Sequence, residues 1–181
     1  MNPRRGRVVL GLLVVLFAAP LVTAYGLYYG LGWRGDGAAA AGTLVRPIVA
    51  VPADSRAALA GRWTLLQLAP HGCNARCAKR LHTGRIVRGL LHVDAARVRQ
   101  VLVVGDNTPA GSLARVQPDV TVYRTKVEHW HNLFSARARD VPGTIYLIDP
   151  EGRWMAYYPP SVGADGLHRD LKRLLALSSR P

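Results

Sequence analysis

The sequence predicts an α/β domain exported behind a single N-terminal membrane helix. Three observations predict it. An uncharged run from Val8 to Gly32 opens the chain. From Trp63 onward, short apolar runs alternate with helical patterns. Both cysteines, Cys73 and Cys77, fall where the first apolar run gives way to the first helical pattern.

The run Val8–Gly32 holds 25 residues. As a helix it would span about 37 Å, enough for a tilted crossing of a ~30 Å hydrocarbon core. Arg4, Arg5 and Arg7 precede it, which by the positive-inside rule leaves residues 1–7 in the cytoplasm. Tyr25, Tyr28, Tyr29 and Trp33 gather at the far end as an aromatic belt, and Pro20 marks a kink. A cleaved signal peptide ending at Ala24 is the competing reading, but the apolar stretch continues past it. Either way the rest of the chain lies on the periplasmic side of the inner membrane.

The chain has 181 residues and a net charge of +13, from 24 Lys and Arg against 11 Asp and Glu. Length leaves room for one ordinary domain after the anchor. Basicity fits an anionic membrane surface or an acidic partner. Nucleic acid is excluded as a partner, because no helix-turn-helix, zinc-finger or RNP-like pattern accompanies the charge.

Residues 33–60 read as a linker and an extended segment containing Pro47 and Pro52. Residues 61–181 form the domain. Strands are expected at Trp63–Ala69, Val98–Gly105 and Val120–Arg124. A hairpin follows, Thr144–Ile148 and Arg153–Tyr158, around the turn Asp149-Pro150-Glu151-Gly152. Helices are expected at Ala75–Leu91, Ser112–Val116, His129–Ala138 and Gly166–Leu177. The first should bury Leu81, Ile86, Val87, Leu90 and Leu91 and leave Lys79, Arg80, Arg85 and Arg88 in solvent. The order β-α-β-α-β-α-β-β-α implies parallel strands with right-handed crossovers.

The segment HGCNARCAKRLH carries the chemistry. An exported cysteine pair can persist as a disulfide. At a helix N-terminus the dipole favours thiolate, so Cys73 is expected to be the more reactive sulfur. Residues i and i+4 of a regular helix hold their Cβ atoms about 5–6 Å apart, more than a relaxed bridge wants, unless Cys73 lies outside the helix. The spacing therefore suits a labile disulfide or two thiolates converging on Cu(I). A static crosslink closing a very short loop is the third reading.

GRWTLLQLAPHGCNARCAKRL, VLVVGDNTP, GTIYLIDPEGRW and LHRDLKRLL together resemble the Sco/SenC proteins of the thioredoxin superfamily. The resemblance implies a thioredoxin-like fold, a central mixed sheet flanked by helices. It also implies a membrane-anchored role in cytochrome c oxidase assembly, with an oxidase subunit or another assembly factor as partner. Copper-ligand or redox roles fall to Cys73 and Cys77. Two departures stand out. Asn74 and Ala78 follow the cysteines where the family carries proline, and the family's third copper ligand, a histidine just before the YLID strand, is missing from RDVPGTIYLID. Pro142 instead resembles the cis-proline that faces the cysteines of redox-active thioredoxins.

A weak third copper ligand is then expected from His129, His131 or His71, although His129 and His131 singly read as surface residues beside a half-buried Trp130. His82, His92 and His168 read as solvated, and Asp106 and Asp149 as turn residues. Three functions stay open: Cu(I) delivery or thiol reduction for an oxidase copper site, general periplasmic thiol–disulfide exchange, and a scaffold with a structural disulfide.

Overall fold

The computed structural model describes residues 3–29, 40–138 and 141–178. They form two units, divided after Ala39. The first is helix α1, Pro3–Tyr29, with Pro20 inside it. Leu12, Phe17 and Leu21 on it are exposed. Among the described residues no helix is long and apolar enough to cross a membrane. Residues 30–39, which hold the end of the expected anchor, Trp33 and the first part of the expected linker, lie outside the described residues.

The second unit holds one six-stranded sheet in the order β1-β6-β5-β2-β3-β4. Its elements in chain order are β1 Thr43–Ala50, α2 Ala53–Leu59, β2 Trp63–Leu68, α3 Ala75–Leu90, β3 Val98–Gly105, β4 Val120–Thr125, α4 Val127–Ser135, β5 Ile145–Ile148, β6 Arg153–Tyr158 and α5 Ala164–Leu177. Strands β2, β3 and β4 are parallel. β5 runs antiparallel to β2, and β6 and β1 complete an antiparallel half. The sheet is therefore mixed, as the thioredoxin-like pattern implies, and not parallel throughout.

Residues 43–59 do more than link. β1 is the sheet edge beside β6, and α2 buries Leu59 beneath it. The expected helix at Ser112–Val116 is a single 3-10 turn, Ala110–Leu113.

Period-two alternation divides the central strands between two cores. Leu66, Tyr146 and Ile148 face α4, where Phe134 stacks on Tyr146 with ring centroids 3.7 Å apart. Leu65, Ile145 and Leu147 face α3 and α5, meeting Val87, Leu167 and Leu171. Coverage on both faces explains why WTLLQL is buried from Trp63 to Gln67 and reads as a largely apolar run, Thr64 and Gln67 apart.

α3 buries Leu81, Val87 and Leu91 as expected, but its inward face is rotated away from Ile86 and Leu90 toward Arg80 and Gly84. Leu81, Gly84, Val87 and Arg80 are buried on it, while Ile86 and Leu90 are 43% and 44% exposed. Arg80 is thus not a solvated residue. Its guanidinium donates to the carbonyls of Gly143, Tyr158, Pro159 and Val162 at 2.7–3.1 Å. Burial pushes its pKa below the usual value.

Candidate functional site

β2 ends at Leu68 and α3 begins at Ala75. The six residues between them are held on all sides. Gly72 takes φ +98°, a conformation L side chains rarely adopt, and its N–H donates to Ala69 O. The Cys73 N–H donates to Ser112 O at 2.9 Å, and Thr108 Oγ1 donates to Pro70 O at 3.2 Å. Asn74 is the N-cap of α3, its side chain accepting the Cys77 N–H at 3.0 Å. This N-cap role fits a residue that replaces the proline of the Sco pattern, since Asn satisfies an orphan donor of the first turn.

Cys73 and Cys77 are joined by a disulfide, with Cα atoms 5.2 Å apart. Cys73 precedes the N-cap, so it lies outside the helix, and the i,i+4 spacing closes without breaking the first turn.

The two sulfurs are not equivalent. Cys73 is 3% exposed and packs among Ala69, Leu81, Leu102 and Val104. Cys77 is half-buried and lines a cavity of about 310 Å³. Proximity to the helix N-terminus points to Cys73 as the reactive thiol, but access reverses the order: an incoming thiol reaches Cys77.

Asn74, Arg76, His71, His131, Pro142 and Gly143 share that cavity. The structure thus brings together residues from the loop after β2, from α3, from α4 and from the loop before β5. His131 is placed by the buried stripe Val127, Trp130 and Phe134, which fixes how α4 faces the sheet. His129 is exposed on the same helix and does not line the cavity. His82 and His92 are exposed and His168 is half-buried. Asp149 closes the hairpin turn, accepting from the Glu151 and Arg153 N–H groups and the Arg153 side chain, while Asp106 is an exposed turn residue.

Pro142 meets the expectation of place but not of isomer. It lines the cavity of Cys77, yet the cis peptide among the described residues is Arg46–Pro47, not Val141–Pro142. The sharp turn before β5 is made instead by Gly143 at φ +90°. Among the described residues no group of three His, Cys, Asp or Glu side chains is placed to hold a metal ion. The donor set at the pair is two sulfurs, a set that suits Cu(I) once the bridge is reduced.

Ser112 and Gly143 lie outside the motif and Arg80 inside it, and all three shape the site in ways the residue types do not announce. Each acts through backbone groups of a distant segment.

Solved structures share this architecture. Apo Sco1 from Thermus thermophilus matches with a TM-score of 0.58 at 17% identity, over 78% of this chain and 100% of that one. Copper-bound ScoI from Arabidopsis thaliana matches at 0.53 and 15%, over 67% and 89%. Copper-bound yeast Sco1 matches at 0.51 and 16%, over 70% and 84%. At such identities the likeness shows a thioredoxin-like fold. No curated protein matches the sequence. Residues 63–178, which carry the cysteine loop and every strand but β1, match the family described as transmembrane-like, thioredoxin-like, C-terminal domain, and the chain belongs to that family.

Proposed function

We propose that this protein is a membrane-tethered, exported thioredoxin-like factor that prepares the copper site of cytochrome c oxidase, through Cu(I) carried on reduced Cys73 and Cys77 or through electrons passed from them. The observation that carries the reading is the disulfide set at the carboxyl end of β2, with one sulfur open to a cavity. Ligand chemistry concentrates at such strand ends in α/β folds. Copper-bound members among the similar Sco structures support the metal. The anchor is supported by the uncharged run Val8–Gly32 behind three arginines. A reporter fused after Pro181 should be active only when exported.

Cu(I) is the cargo in this reading. Two thiolates would give it a viable site, and a third donor is optional. His71 and His131 line the cavity of Cys77 and are the histidines to supply one. His129 drops behind them. The test is Cu(I) titration of the reduced protein. One Cu(I) per chain is expected, abolished by Cys73→Ser or Cys77→Ser. His71→Ala and His131→Ala should weaken binding modestly, and His129→Ala should leave it unchanged. Absence of stoichiometric binding overturns the carrier reading.

The second reading, thiol–disulfide exchange without copper, is favoured by the closed bridge itself and by the access of Cys77. Catalytic turnover with a dithiol substrate by copper-free protein would support it. Oxidase assembly unaffected by the double Cys→Ser change would leave only the scaffold.

A further inference from the structure

We propose that the cavity at Cys77 continues across Gly143 into a basic groove that seats an acidic, cysteine-bearing segment of a partner protein and delivers its thiol to Cys77. The inference rests on the exchange chemistry above and adds the chemistry of the partner.

Arg76 and Gly143 line both the Cys77 cavity and a second one of about 440 Å³. The second runs along the outer face of α3 past Ala75, Lys79 and Thr83 to Pro160. Gly143 is the join. A Cβ there would stand 3.6 Å from Pro160 Cγ and 3.8 Å from Arg76 Cγ, so the missing side chain leaves the passage open. Among the described residues no aspartate or glutamate lines either cavity. Arg76 and Lys79 are exposed and form no ion pair among the described residues. Arg80 is committed to four backbone carbonyls, so it builds the wall, and Arg76 and Lys79 supply the open charge. An extended segment lying in this groove presents carboxylates to the two cations and a cysteine to the half-buried sulfur. A like-charged segment is repelled. Charge of this kind selects partners and raises the rate of encounter.

The chemistry balances with a partner dithiol as the reductant. Its first thiolate attacks Cys77 Sγ, the bond to Cys73 breaks, and Cys73 leaves as thiolate. The partner's second thiolate then attacks its own sulfur in the mixed disulfide, forming the partner disulfide and releasing Cys77. Two electrons and two protons pass from the partner to the pair. The partner is left oxidised and the pair reduced. With a reductant loaded on the pair, the same steps run backward and prepare the partner's thiols.

The experiment uses the oxidised full-length chain in neutral detergent. Reduction of the bridge is timed with an acidic peptide carrying two cysteines, a matched basic peptide, and 2-mercaptoethanol, each peptide rate being divided by the mercaptoethanol rate. The acidic peptide should exceed the basic one by about 10-fold or more at low salt. The ratio should fall toward unity near ~0.5 M salt, where screening is short-ranged. R76E/K79E should invert it. K79Q, a milder change, should lower it part of the way. A ratio near unity at every salt concentration, or one that R76E/K79E leaves unchanged, overturns the groove while exchange at the pair stands. Failure of all three thiols to reduce the bridge overturns both.

Discussion

Arg80 Nε donates to the carbonyl of Gly143 at 3.0 Å, across 63 positions of sequence. A buried cation thereby ties the helix that carries Cys77 to the loop that carries Pro142. The other donors of the same guanidinium reach the chain after β6. One side chain thus ties α3, the loop before β5 and the chain around the end of β6 together beside the cysteine cavity.

Arg80→Met should therefore cost stability out of proportion to the change in volume. It leaves four carbonyls without their donor, and hydrogen bonds to a charged group are worth about 1.5–3 kcal/mol each at most, with strong non-additivity. A net loss of about 2–4 kcal/mol is expected, read as a lower urea midpoint. An unchanged midpoint would show that water replaces the guanidinium freely.

Thiol labelling ranks the sulfurs. In the reduced protein, iodoacetamide should modify Cys77 at least about tenfold faster than Cys73, since exposure as well as thiolate character sets reactivity. Cys73, at 3% exposure, should wait for local opening. Peptide mapping after short pulses decides it. Faster labelling of Cys73 would restore the order expected from the helix dipole alone.

Two glycines offer a contrast in stability. Gly72 holds φ +98°, and a Cβ on it would run into the Oγ and Cβ of Ser112. Gly72→Ala should cost roughly 1–3 kcal/mol through backbone strain, before any clash is added. It should also disturb the Cys73 N–H bond to Ser112. Gly89 lies in α3 with nothing within 4 Å of its would-be Cβ. Gly89→Ala should instead gain up to about 1 kcal/mol. Thermal melts of the two variants should move in opposite directions.

Alkaline pH should expose Tyr158. Burial, with the Asp170 carboxylate adding to it, raises the phenol above its usual 10.0. Below that value both folded and unfolded chains keep the proton and stability is unaffected. Above it the unfolded chain ionises first, so the native state holds more protons and stability falls as pH rises. The slope should approach about 1.4 kcal/mol per pH unit until the folded phenol itself titrates. Tyr158→Phe should remove this component from a urea series run between neutral and strongly alkaline pH.

Much of the domain is legible in the sequence. β3 and β6 fall on the expected residues because a buried strand writes itself as an apolar run or a strict alternation. β1 escaped, since its burial alternates irregularly and it contains Pro47, as edge strands tolerate. The antiparallel placing of β5 depends on which strand it meets, and no local pattern encodes that. The start of α3 and the burial of Leu81, Val87 and Leu91 follow from the pattern, yet Ile86 and Leu90 are exposed and Arg80 is buried, because its head is satisfied on carbonyls from far along the chain. The sequence points to the cysteines, His71, His129, His131 and Pro142 as candidates. That Cys77, His71, His131 and Pro142 share one cavity and that His129 does not, or that Cys77 is the open sulfur, follows only from packing.

The pairing of β2 with β5 carries one more consequence. Leu66 sits opposite Tyr146 and Thr64 opposite Ile148. Because the two strands run in opposite senses, the chain leaves β2 toward the cysteines beside the point where it arrives at β5 from Pro142. A slip of two positions would keep every side chain on its proper face and much of the apolar contact. It would also carry Pro142 and Gly143 about 7 Å along the strand, away from Cys77. One alignment of two strands therefore serves the core and the chemistry at once, since the same shift would part Gly143 from Arg80 and Tyr146 from Phe134. A chain misaligned here would lose the Arg80 bond to Gly143 and the place of Pro142 beside the sulfur together.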